Sequence, residues 1–125
     1  MKSAIKNDIA LAILRIAPSV MLLTHGVPKL QKILVGNFEF ADPLGMGPAP
    51  SLFLAVIGEV ICPILIILGI KTRWATIPPL ILMAVIAFVH HSTDEFPTKE
   101  KALLFLTFFI VILLLGPGKY SLDKK

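Results

Sequence analysis

Apolar side chains fall into four runs, over residues 8–26, 51–69, 74–90 and 101–115, each bounded by a charged residue, His, Gly or Pro. None alternates strictly, as a half-buried strand would, and each is near the roughly 20 residues a helix needs to cross a hydrocarbon core. The pattern predicts an all-α fold, a polytopic membrane four-helix bundle forming a single domain over residues 1–125. The joints carry stop signals: Gly69 after the second run, Gly116-Pro117-Gly118 after the fourth, and Gly26 with Pro28 expected to close the first. Residues 27–50 then form a long loop between helices 1 and 2. Its Asp42-Pro43, Gly45, Gly47, Pro48 and Pro50 cannot lie bare in lipid but suit a cap on the aqueous side of a bundle. Asp42 is expected to organise a turn there.

Composition points to the same solvent. The 125 residues are 56% hydrophobic with a mean hydropathy of +0.87, too much apolar surface for so small a body to hide. The net charge of +4 is confined to short stretches, without a basic stripe interleaved with aromatics, so nucleic acid is not an expected partner. Seven cations (Lys2, Lys6, Lys71, Arg73, Lys119, Lys124, Lys125) fall on one side of the four spans and four (Lys29, Lys32, Lys99, Lys101) on the other. The positive-inside rule places both termini in the cytoplasm and the long loop outside. The first run reads as a retained helix, because it carries Arg15 and Pro18 and no small-x-small cleavage motif before Gly26. Cys62 is the only cysteine, which excludes dithiol exchange within the chain and suits a small packing residue. Trp74 fits a membrane-boundary anchor.

Two formal charges lie well inside the spans. Arg15 sits about two turns into the first and Glu59 near the middle of the second. A charge at that depth costs several kcal/mol unless it faces protein, water or an opposite charge. An Arg15–Glu59 pair is therefore expected, either as a polar floor for a bound molecule or as a contact that only fixes which helix faces meet. Pro63, four residues after Glu59, removes the amide that would bond the Glu59 carbonyl, while Gly58 and Cys62 keep the surroundings small.

A second polar group gathers at the outward end. His25 ends the first span with Lys29 one turn later, His90 and His91 end the third, and Glu100 opens the fourth with Thr107 two turns on. The group contains a proton carrier, a carboxylate and a fixed cation. Four readings stay open: interfacial snorkelling, a metal site of His25, His90, His91 and Glu100 that no local ligand spacing supports, bis-histidine haem ligation by His25 and His90, and proton-coupled binding of a polar head group such as a quinone carbonyl. No phosphate loop, nucleophile elbow or helical zinc motif occurs. Asp123 and Arg73 are expected to pair on the cytoplasmic side.

Taken in order, these motifs resemble the DoxX family of small bacterial membrane proteins. The resemblance runs over nearly the whole chain: Arg15, His25-Gly26-x-x-Lys29, Phe40-x-Asp42-Pro43 with Gly45 and Gly47, Glu59, Gly69-x-x-Thr72-Arg73, His90, Glu100, and Gly116-Pro117-Gly118-x-Tyr120-Ser121-Leu122-Asp123. It implies a four-helix bundle in the bacterial cytoplasmic (inner) membrane. It also implies a link to quinone chemistry, since some relatives serve quinone-linked oxidation, including the membrane subunit of thiosulfate:quinone oxidoreductase, and others serve resistance to catechols and quinones.

The expected function is thus an oxidoreductase, or the quinone-binding subunit of a membrane redox complex, with a quinone as cofactor or substrate. His25, His90 and Glu100 are the expected catalytic residues, and Arg15, Lys29 and Glu59 the substrate-binding ones. Asp42, Arg73 and Asp123 have structural roles. No redox centre is encoded, so electrons must come from a quinone, a thiol or a partner subunit. The alternative is a non-catalytic membrane anchor or small-molecule carrier with a structural polar core. A transporter would require a homo-oligomer, since four short helices leave little room for alternating access. Besides the lipid bilayer, a redox partner subunit is the expected contact.

Overall fold

The computed structural model describes residues 3–123 and is all-α, with no strand among the described residues. It contains four helices: α1, Ser3–Leu34; α2, Pro48–Leu68; α3, Thr72–His90; and α4, Phe96–Leu115. They pack as a ring in which α1 contacts α2 and α4, and α3 contacts α2 and α4. Buried Leu22, Cys62, Ile66, Ala75, Met83, Ala87, Phe105, Phe109 and Ile112 form the core. Large apolar side chains such as Ile13, Phe53, Ile64, Trp74, Ile81, Phe88, Leu104 and Leu114 remain exposed around all four helices, a belt that only an apolar solvent makes tolerable.

By length and composition α1, α2 and α3 can each cross a membrane. In α4 the three residues Lys99, Glu100 and Lys101 occupy the first turns, which leaves residues 102–115 as its uncharged stretch. Of the seven cations assigned to the cytoplasmic side, Lys2, Lys124 and Lys125 lie outside the described residues.

Two boundaries differ from the sequence expectation. Helix α1 does not stop at Gly26 but runs on to Leu34 through Pro28, so the loop shortens to residues 35–47. Gly26 serves close approach to another helix instead of a C-cap, and Pro28 removes a single amide without halting the helix. Helix α4 begins at Phe96 with Pro97 in its first turn, a position where the missing amide has no intrahelical role.

The α2–α3 joint is a tight one. Gly69 is left-handed (φ 71°), and the amides of Gly69 and Ile70 return to the carbonyls of Ile66 and Leu65. The segment 116–123 then threads beneath this joint, where the Leu122 amide donates to the Leu68 carbonyl at 3.2 Å.

Candidate functional site

The site begins with a crossing of α1 over α2. A Cβ at Gly26 would fall 2.4 Å from the Glu59 carbonyl oxygen and 2.8 Å from Glu59 Cβ, so only glycine lets α1 lie directly on this stretch of α2. Opposite it, residues Ile57–Ile61 form one widened turn, in which the Cys62 amide bonds the Ile57 carbonyl five residues back. Pro63 is part of the cause, since its ring nitrogen cannot supply the bond to the Glu59 carbonyl that a regular turn requires. A second widened turn, Ile86–His90, ends α3.

The crossing sets Lys29, three residues after Gly26, against Glu59. Lys29 Nζ donates to Glu59 Oε2 at 2.5 Å; Glu59 is 2% exposed and Lys29 24%. Glu59 Oε1 has no hydrogen-bond partner among the described residues. The Lys29 ammonium also lies 5.7 Å from the centroid of the Phe40 ring, as does that of Lys32, so Phe40 pins the loop over the pair.

Two cavities meet at this ion pair. The larger, about 540 Å³, lies between the first half of α2 and the second half of α3 under the loop 35–47. That half of α2 scarcely packs on α3. Its walls are apolar (Leu54, Ala55, Ile77, Ile81, Val85), and its polar groups are Lys29, Glu59, Ser51, His90 and His91. Leu54, Ile57, Ile77 and Ile81 are themselves exposed on the outer surface, so the mouth opens sideways toward acyl chains. The size falls within the range of small-molecule sites, roughly 300–1,000 Å³. The smaller cavity, about 200 Å³, lies among α1, α3 and α4 and is lined by His25, Lys29, Glu59, His91 and Lys101 with Phe105. The His25 ring meets Phe105 edge-on at 6.2 Å.

The structure therefore divides the expected outward group. His25 lines the smaller cavity and His90 the larger, with Lys29 and Glu59 between them, so the two histidines share no common axial position. Glu100 is exposed and lines neither cavity. Because α4 starts at Phe96, the next residue, Lys101, turns toward the smaller cavity instead. Thr107 is exposed and donates to the Leu103 carbonyl at 2.8 Å. His91 Nδ1 hydrogen-bonds to the Asp94 carboxylate, the acceptor, at 2.7 Å and borders both cavities. No group of three His, Cys, Asp or Glu side chains arranged to hold a metal occurs among the described residues.

The expected Arg15–Glu59 pair does not form. Arg15 is buried, 2% exposed, but it donates to the carbonyls of Pro117 and Tyr120, both at 2.6 Å, and of Ile67 at 3.4 Å. Its Nε has no partner. Ten residues of helix separate Arg15 from His25, about 15 Å of rise, which puts it at the opposite end of the bundle from Glu59. There the carbonyls of Pro117 and Tyr120, with that of Ile67 at the negative end of the α2 dipole, satisfy a guanidinium without a carboxylate.

Asp123 likewise does not pair with Arg73. Its carboxylate accepts the amides of Lys71 (2.6 Å) and Thr72 (2.9 Å) and the Thr72 hydroxyl (2.6 Å), capping α3. The Arg73 guanidinium lies over Gly116, where an added Cβ would meet it at 2.9 Å. Free amides at a helix start compete well for a carboxylate, and they need no long side chain to be ordered.

In the loop, Asp42 accepts the amides of Met46 and Gly47, each at 2.8 Å, and the Ser51 hydroxyl at 3.1 Å, tying the turn to the first turn of α2. For both Asp42 and Asp123 partial desolvation opposes ionisation, but hydrogen bonds to the carboxylate prevail and hold the group below its ordinary range. At Asp123 the positive charge of Arg15 adds to them.

Lys101 and Ser51 belong to the site without having been assigned to it from the sequence, and Phe40 was named there only as part of a family motif. Lys101 had a signal, since the same helix face carries Phe105 four residues on; the motif gave Phe40 no role and Ser51 had no signal, because loop closure brings both in.

The profile of the DoxX family matches residues 10–92, which include Arg15, His25, Lys29, Glu59, His90 and His91. A Haemophilus influenzae protein carried as "Uncharacterized protein" is 32% identical over 126 residues, covering 92% of this chain and 89% of the relative. No solved structure matches the chain.

Proposed function

The chain belongs to the DoxX family of membrane proteins, and from that premise we propose that it binds a quinone as the quinone-binding subunit of a redox complex in the bacterial cytoplasmic membrane. The observation that carries this reading is the Lys29–Glu59 pair at the floor of an apolar cavity of about 540 Å³ whose mouth is lined by lipid-facing residues. A flat ring with carbonyl oxygens and an apolar tail fits such a space: walls of Leu54, Ile77 and Ile81 for the apolar part, and Lys29, His90 and His91 as donors to the oxygens. Glu59 Oε1, which has no protein partner among the described residues, can accept from a ligand hydroxyl. A quinone supplies a two-electron carrier. The chain's own residues bind it, orient it and exclude water, while the electrons come from a partner subunit.

In this reading both termini face the cytoplasm and α4 completes the fourth span, so the loop 35–47 and both cavities lie on the outward side. The test is equilibrium binding of a decyl-substituted benzoquinone to detergent-solubilised protein. Lys29→Met is expected to weaken binding at least tenfold, and Ile81→Trp, which narrows the mouth from the outer surface, by a similar factor. Absence of binding by the wild type, or unchanged affinity in both variants, refutes the assignment. Binding without quinone reduction in native membranes would favour a carrier over a redox subunit.

A further inference from the structure

The smaller cavity is polar at its mouth and apolar at its floor. At the end of the bundle where α3 passes into α4, it is bordered by exposed Lys101 and half-buried His25 and His91. Below them lie Leu22, Met83 and Phe105, all buried in the core. Helix direction produces this order. Helix α1 rises toward the mouth, so Leu22 sits about 4.5 Å below His25; α4 descends from it, so Phe105 sits about 6 Å below Lys101.

The charges of the lining do not cancel. Glu59 is answered by Lys29, whose Nζ lies 2.5 Å from Oε2, whereas Lys101 forms no ion pair among the described residues. The lining thus carries two fixed cations against one carboxylate. The carboxylates of the α3–α4 connection (Asp94, Glu95 and Glu100) are exposed and line neither cavity. Donors are also in surplus. Lys101 brings three N–H groups and Lys29 keeps two beside the one on Glu59, while the His25 ring makes no hydrogen bond among the described residues. The volume, about 200 Å³, is below the roughly 300–1,000 Å³ of drug-sized sites.

We propose that the smaller cavity binds the anion of a short-chain monocarboxylic acid, entering from the aqueous side past Lys101. Its carboxylate accepts from Lys101, His25 and Lys29, bonds strengthened by the charge on both partners at the two lysines. Its alkyl chain lies against Leu22, Met83 and Phe105, out of water. A doubly charged inorganic oxyanion fits less well, because the lining has one positive charge in excess and the floor offers no donor. A long-chain acid is stopped by the closed floor. The site stands independently of what fills the larger cavity.

The test is titration of the detergent-solubilised protein with butyrate, followed by saturation-transfer NMR on the ligand methyl with protein-free micelles as blank. The wild type is expected to bind butyrate, and to bind butyramide, of the same shape without the charge, roughly tenfold more weakly. Sulfate is expected to displace butyrate only at a concentration roughly tenfold higher than butyrate itself. Lys101→Met, at an exposed position that leaves the fold intact, is expected to weaken butyrate about tenfold. Ala102→Leu fills the floor from α4 and is expected to abolish binding. Failure of the wild type to bind butyrate, or unchanged affinity in Lys101→Met, overturns the site. Equal affinity for butyramide overturns the anion. Displacement by an equal concentration of sulfate overturns the monocarboxylate in favour of an inorganic oxyanion. No quinone enters the assay, so each of these outcomes leaves the quinone reading standing.

Discussion

Gly26→Ala sets two effects of opposite sign against each other. In an isolated helix the change stabilises by about 1 kcal/mol, because glycine loses more backbone freedom on folding. Here the new methyl meets the Glu59 carbonyl oxygen at 2.4 Å, the carbonyl carbon at 2.7 Å and Cβ at 2.8 Å. Carbon atoms rest at about 3.5 Å or more, so α1 and α2 must part by about 1 Å at their crossing. The atoms met are backbone or Cβ and cannot rotate away, which places the cost at the upper end for overpacking, about 3 kcal/mol. The net destabilisation is then about 2 kcal/mol, a fall in Tm of roughly 8 °C for a chain of this length. Gly36 supplies the control: its φ is 76° but nothing lies within 4 Å of an added Cβ, so Gly36→Ala costs only the left-handed conformation, about 1 kcal/mol. Thermal unfolding in one detergent ranks wild type, Gly36→Ala and Gly26→Ala in falling order. A Gly26→Ala protein that melts at or above the wild type would refute the close crossing, and with it the geometry that sets Lys29 on Glu59.

Arg15→Lys keeps the charge but loses the planar fork that reaches three carbonyls; a loss of about 2–3 kcal/mol is expected, with faster proteolytic cleavage in residues 116–123 as the readout. Asp123→Ala removes the cap of α3 and is expected to cost about 1 kcal/mol in a chemical unfolding series. Acid acts through the two lowered carboxyl groups. Because the folded values of Asp42 and Asp123 lie below the unfolded 3.8, their stabilisation is complete above about pH 4 and lost as pH falls through the folded values. The stability gap between wild type and the double variant Asp42→Asn, Asp123→Asn should therefore narrow below about pH 4; a gap that stays constant contradicts the hydrogen-bonded carboxylates.

The helices were readable from hydropathy because the apolar runs are long and their borders polar. The pairing of charges was not. With two opposite charges at similar nominal depth, the sequence favoured joining Arg15 to Glu59, yet depth counted along two antiparallel helices runs in opposite directions. The competitors were also invisible: three backbone carbonyls of the segment 116–120 and the end of α2, and Lys29, which seemed to lie beyond the first helix. Reading Gly26 and Pro28 as a stop left Lys29 in a loop and hid its pairing with Glu59, since a glycine required for close packing and one that ends a helix look alike in a single sequence. Glu100 and Lys101 show how finely a site depends on register. An uncertainty of a few residues in where α4 begins suffices to turn one side chain out and its neighbour in.

The widened turn at Ile57–Ile61 has a consequence for the whole of α2. One surplus residue in a turn advances everything after it by about 100°. The helix is thus two half-rods out of phase, the earlier aiming Ala55 into the ligand space and the later aiming Cys62 and Ile66 into the core. Excising a single residue within that turn would restore one continuous phase, and the chain would have to give up either the mouth of the cavity or the seat of Ile66.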